Sequence, residues 1–92
     1  MTRNGILLGY RRGKLDIIAD ILLFCEHQKT KTSIMYNANL NYSQLKSHIN
    51  ALTSQGLLEK KLNKYVTTER GYRFLEIFAQ LNDLLDEFIN LK

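Results

Sequence analysis

The 92-residue sequence predicts a mainly α chain with one small β-hairpin: a winged helix-turn-helix head followed by a long C-terminal helix. Three observations carry that prediction. Residues 40–71 read, in order, as a capped helix, a tight turn, a short two-stranded ribbon and the start of a further helix. Charge is unevenly placed, with ten Lys/Arg against four Asp/Glu in residues 1–68 and three against five in residues 69–92. The last segment carries apolar residues at alternating four-three spacing, which is the pattern of a coiled-coil seam.

Composition sets the class. Apolar residues make up 45% and charged residues 24%, a balance that supports one modest core rather than disorder. Proline is absent, which favours uninterrupted helices. The longest apolar run, residues 17–25, is broken by Asp20 and is too short to span a bilayer, so no membrane partner is expected. The N-terminus places arginines after its apolar residues, the reverse of a signal peptide. One cysteine, Cys25, forms no internal disulfide and fits a reducing compartment. The expectation is a cytoplasmic protein. A net charge of +4 concentrated in the head suits a polyanion ligand there and a separate role for the last helix; the competing reading is a solvated basic surface.

Residues 1–13 form a basic arm bearing Arg3, Arg11 and Arg12, punctuated by Gly5, Gly9 and Gly13, with a short strand conceivable over residues 6–10. Such an arm tracks phosphates or enters a minor groove, unless it is simply a frayed terminus. The head follows, over residues 14–68. Its first helix is expected at about residues 14–27. Leu15, Ile18, Ile21, Leu22 and Cys25 repeat at helical spacing, Ile17, Leu23 and Phe24 widen the face, and only Asp16, Asp20 and Glu26 mark a wet stripe. That makes it the central core helix. A polar connector, HQKTKT, leads to a short helix at residues 32–37 with Ile34 and Met35 inward, and Asn37 and Asn39 flank the following turn.

The third helix has the clearest local signals. Asn41 is an N-cap, Gln44 completes a capping box, and Leu40 with Leu45 forms a hydrophobic staple. Leu45, Ile49 and Leu52 make one apolar stripe, and Gly56 sits where a left-handed C-terminal cap is wanted. Ser43, Lys46, Ser47, Asn50 and Ser54 then point away from the core. They form either a face that approaches a groove closely or an ordinary wet face. Residues 57–61 and 64–68 flank Leu62-Asn63 as a hairpin, with Asn63 tolerating positive φ. Lys60, Lys61 and Lys64 cluster at its tip, suited to phosphates or to guarding a strand edge.

Thr67 or Thr68 caps the last helix, with Glu69 in its first turn. Residues 69–92 are the expected dimerisation helix, running to about Leu91 and reaching about 34 Å. Phe74, Phe78, Leu81, Leu85 and Phe88 form the seam, with Ile77, Leu84 and Leu91 beside it. That is more apolar surface than a small head covers, which calls for a second copy; the rival is a helix folded back over its own domain. Material for catalysis is lacking. His27 and His48 are far apart, and no CxxC, HExxH or phosphate-cradling glycine loop occurs. Asp83, Asp86 and Glu87 read as solvated charges without a nucleophile or base beside them. Neither an enzyme, a cofactor, a metal nor a small-molecule substrate is expected.

The runs RRGKLDIIADIL, KTSIMYNANLNYSQLKSHINALTSQGLLE and KYVTTERGYRFL resemble the archaeal 10a-type proteins of Sulfolobus, small basic winged-helix DNA-binding proteins of the chromatin set. The resemblance covers residues 11–92, and its most specific parts are the IMYNANLNYSQLKSHINALTSQGLL block and the T-x-x-G-x-x-FL entry to the last helix. It implies a homodimer joined by an antiparallel coiled coil of the last helices and binding of double-stranded DNA with little sequence preference. Two features depart from the family pattern. The arm is more apolar than a typical basic lead-in, and the recognition helix carries Lys46 but no arginine. On this reading Arg11, Arg12, Lys60, Lys61, Asn63 and Lys64 meet the backbone, and Ser43, Lys46, Ser47 and Asn50 face the major groove. Asn50 is the best adenine contact. Weak base readout favours nucleoid architecture over operator recognition, with transcription regulation also open. The alternative function is a protein-interaction module whose long helix recruits a different chain.

Overall fold

Two threonines in succession tie the molecule together. The Thr67 hydroxyl is buried and donates to the Leu22 carbonyl at 2.6 Å, while its backbone N–H donates to the Cys25 carbonyl at 2.9 Å. Both acceptors lie at the end of the first helix, whose last carbonyls have no intrahelical partner. The Thr68 hydroxyl donates to the Gly56 carbonyl at 2.7 Å and accepts the Gly71 N–H at 3.0 Å. It therefore joins the exit of the third helix to the start of the last one and serves as the latter's N-cap.

The computed structural model describes residues 13–89. Its elements run α1 (Lys14–Phe24), β1 (Lys29–Thr30), α2 (Lys31–Ala38), α3 (Tyr42–Ser54), β2 (Leu58–Lys61), β3 (Lys64–Thr67) and α4 (Glu69–Ile89). The three strands form an antiparallel sheet in the order β1-β3-β2. The core gathers Ile21, Leu22, Cys25, Ile34, Ala38, Leu45, Ile49, Leu52, Leu58 and Tyr65, with Met35, Leu40, Phe74 and Leu75 packed against it. This is the mainly α architecture expected from the sequence, with a winged helix-turn-helix head and a long last helix. The expected arm strand at residues 6–10, the arm arginines and Leu91 lie outside the described residues.

Several local expectations need correction. The first helix ends at Phe24, with Cys25 as its C-cap, rather than at residue 27. Asp16 is not on a wet stripe. It is buried, and its carboxylate accepts the Gly13 N–H at 3.0 Å, capping α1 where Gly13 has no side chain to do so. Leu15 and Leu23 are about half exposed, so α1 is a core helix on one side rather than all round. The connector read as purely polar contributes β1, in which Lys29 pairs with Tyr65 and Thr30 with Lys64. Thr30 also caps α2, accepting from Ser33 N–H at 3.3 Å. The helix therefore begins one residue earlier than expected, and it continues through Ala38 to a left-handed Asn39, φ 58°.

The signals around α3 appear as read. Asn41 Oδ1 accepts from Gln44 N–H at 2.8 Å, and Gln44 Oε1 accepts from Asn41 N–H at 3.0 Å. Leu45, Ile49 and Leu52 are buried. Gly56 has φ 77°, the left-handed region in which a β-branched residue is strained. Asn41→Ala should cost about 1 kcal/mol, and Gly56→Val more. Thermal melting checks both, and unchanged curves for the pair would mean that neither end of α3 is held in this way.

The last helix packs against α1 and β3. Phe74 and Phe78 stack with ring centroids 6.0 Å apart. Beyond them the helix is not folded back over the head. Ile77, Leu81, Leu84, Leu85 and Phe88 are between 40% and 71% exposed. Among the described residues, no helix is long and apolar enough to cross a membrane.

Candidate nucleic-acid interface

Two surfaces carry the residues picked out by the sequence, one on α3 and one on the hairpin whose β2 packs against it. The first is the outer face of α3. Ser43, Lys46, Ser47, Asn50 and Ser54 are all exposed, as the helical spacing requires once Leu45, Ile49 and Leu52 face the core. The second is the hairpin tip, where Lys60, Lys61, Asn63 and Lys64 are exposed around Leu62. The register sets Lys61 directly opposite Lys64. Residues in one row of a sheet share a face, so two like charges stand side by side, an arrangement that costs stability unless an anion lies between them. Arg11 and Arg12 are outside the described residues.

The turn itself differs from expectation. Positive φ falls on Leu62, at 60°, and not on Asn63. A left-handed residue at the first of two turn positions, but not the second, is the φ pattern of a type II′ turn, which ordinarily carries glycine there. Leu62 is also 93% exposed.

Three further residues of α2 and α3 stand out. Tyr42, at the first position of α3, is 58% exposed, and Tyr36, before the turn, is 74% exposed. Tyr42 precedes Leu45 by three residues and reads as part of the apolar stripe, so periodicity alone hides it. Its ring is nonetheless left in solvent, although Leu45 at the end of the same turn is buried. His48 is half-buried; its pKa is lowered by burial and, secondarily, by the nearby charge of Lys14. That interaction places the start of α1, where the arm attaches, within electrostatic reach of α3.

No cluster of metal-ligating side chains occurs among the described residues. Cys25 is fully buried, and burial pushes its thiol up to about 11, only partly opposed by Lys29. The thiol is therefore un-ionised at neutral pH and acts as core filler, as read from the sequence. Lys29 Nζ lies 4.8 Å from the Phe24 ring centroid, a cation–π contact that holds its stem against the head.

The winged helix-turn-helix family pattern matches residues 11–86. The chain belongs to the winged helix-turn-helix family. An uncharacterized protein of the archaeon Methanocaldococcus jannaschii is 31% identical over 78 residues, spanning 84% of this chain and 80% of that one. The crystal structure of Sso10a-2, a DNA-binding protein from Sulfolobus solfataricus, superposes with a TM-score of 0.72 at 25% identity, covering 84% of this chain and 85% of the other. In winged helix-turn-helix terms α2 and α3 are the helix-turn-helix pair, α3 is the recognition helix and the β2–β3 hairpin is the wing. The expected likeness to the Sulfolobus 10a-type proteins is thereby found in three dimensions.

Proposed function

We propose that this winged helix-turn-helix protein binds double-stranded DNA mainly through its phosphates, as a homodimer, in nucleoid architecture or transcription regulation in the cytoplasm. The observation that carries this reading is the wing. Lys61 and Lys64 face each other across it, and their repulsion is relieved by a phosphate held between them. The recognition face of α3 adds one lysine and small polar side chains, with no arginine to take a guanine bidentately. Affinity then comes from backbone contacts and sequence preference is weak. Lys60, Lys61, Asn63 and Lys64 meet phosphates, joined by Arg11 and Arg12 from the arm. Ser43, Lys46, Ser47 and Asn50 line the major groove, and Tyr42 reaches the phosphate beside the start of α3. The similarity to a DNA-binding protein supports the choice of ligand. This is a binding role rather than an enzymatic one.

The dimer rests on α4, with residues 69–92 as the joining element and residues 14–68 as the head. Phe74, Ile77, Phe78, Leu81, Leu84, Leu85 and Phe88 are arranged symmetrically about Leu81. In an antiparallel pair centred there, Phe74 of each copy meets Phe88 of the other. Asp83, Asp86 and Glu87 crowd the far end of α4 and would repel one another in a parallel pair. Antiparallel pairing instead keeps the two acidic ends apart.

Fluorescence titration of several unrelated duplexes, from low to physiological salt, tests the DNA reading. Lys61→Ala and Lys64→Ala should each weaken binding to all sequences alike and reduce the slope of log K against log salt by about one. Asn50→Ala should leave the slope unchanged and cost about 1–3 kcal/mol only on a preferred sequence. Folded wild-type protein with no affinity for any duplex at low salt would end this reading in favour of a protein-interaction module.

A further inference from the structure

The wing tip carries two features that phosphate binding does not use. Leu62 is more exposed, at 93%, than any other large apolar residue described, and it holds φ 60° where glycine is the ordinary occupant. A leucine there adds backbone strain and gains no burial within the head. Glycine or asparagine would serve the turn better. Leu62 also directly follows Lys61 and is separated by Asn63 from Lys64, and the two lysine side chains share a face of the ribbon. An apolar tip flanked by paired cations is complementary to a DNA minor groove, where phosphates line both rims and sugar and base edges form the floor.

We propose that Leu62 is a minor-groove wedge: with Lys61 and Lys64 anchored together on a phosphate at the groove rim, its side chain inserts at a base step, partly unstacks it and unwinds the duplex. This rests on the DNA reading above and adds a determinant of specificity to it. An apolar wedge makes no base-specific hydrogen bonds but senses how easily a step opens. Flexible pyrimidine–purine steps such as TpA are favoured over stiff A-tracts. The protein thus has a sequence preference located on the wing rather than on α3.

Two measurements on the full chain test the wedge. The first compares affinity for duplexes with a central TpA step and with an uninterrupted A-tract. The second reads unwinding from the linking number of a closed plasmid relaxed by topoisomerase with bound protein. Wild type should prefer the TpA duplex by about five- to tenfold and change the linking number in proportion to protein bound. Leu62→Asn retains a residue that tolerates left-handed φ and has nearly the same size. It should bind both duplexes equally, with the wild-type salt slope, and lose the linking-number change, while Leu62→Met should keep both properties. Thermal melting of Leu62→Asn at or above wild type should show that the fold is intact. Wild-type unwinding and TpA preference persisting in Leu62→Asn would overturn the wedge and leave the DNA reading standing. Wild-type protein that binds no duplex would overturn both.

Discussion

A single methyl group added at position 71 should destabilise the head severely. In the interior of a helix, glycine to alanine ordinarily stabilises by about 1 kcal/mol. Gly71 lies in the first turn of α4, where a Cβ would stand 2.5 Å from the Leu57 carbonyl oxygen and 2.6 Å from Thr67 Cγ2. The first of these is backbone, and it is held by the Thr68 N–H at 3.1 Å, so it has little freedom to retreat. Gly71→Ala is therefore expected to lose about 1–3 kcal/mol or more, the usual range for overpacking a tight site. In a domain of this size that lowers the melting temperature by roughly 10 °C or more. The sign is diagnostic. A raised melting temperature would mean that α4 does not start against the exit turn of α3.

Replacing Leu81 by glutamate should abolish the dimer. Leu81 is 43% exposed in the single chain and lies at the centre of the α4 seam, so in an antiparallel pair it approaches its own counterpart. Leu81→Glu would put two carboxylates there without cations, and burying an unpaired charge costs several kcal/mol. The dimer should weaken by more than about a hundredfold, since 1.4 kcal/mol corresponds to a factor of ten. Analytical ultracentrifugation should then find monomer or aggregate where wild type sediments as a dimer. The Gly71 and Leu81 effects differ in kind: the first lowers melting at any concentration, and the second acts through association. Wild-type protein that stays monomeric at high micromolar concentration would exclude the seam as a self-association surface and direct attention to a different chain as its partner.

The ends of α3 were readable from the sequence because each depends on a few neighbouring residues. Asn41 and Gln44 exchange hydrogen bonds across one turn, and Gly56 is the one residue nearby that takes positive φ without strain. The hairpin and the outward face of α3 were legible for the same reason, and the cap of α4 was narrowed to Thr67 or Thr68, between which the structure chooses Thr68 because the Thr67 hydroxyl is taken by Leu22. The tertiary structure decided the rest. Lys29 and Thr30 become a strand only because β3, more than thirty residues later, offers its free edge. Gly71 is obligatory because Leu57 and Thr67 crowd it from other elements, and nothing in its local pattern announces that. Tyr42 stands three residues before Leu45, yet its ring is exposed while Leu45 is buried. The positive φ of the wing falls on Leu62, although Asn63 is the better local candidate. The sequence by itself determined the four helices and the hairpin in outline, the caps of α3 and the basic head on an apolar helix, since these follow from short-range hydrogen bonding, periodicity and composition. Which side chains are buried, crowded or left strained in solvent was decided by the tertiary structure, because each depends on segments that meet only when the chain is folded.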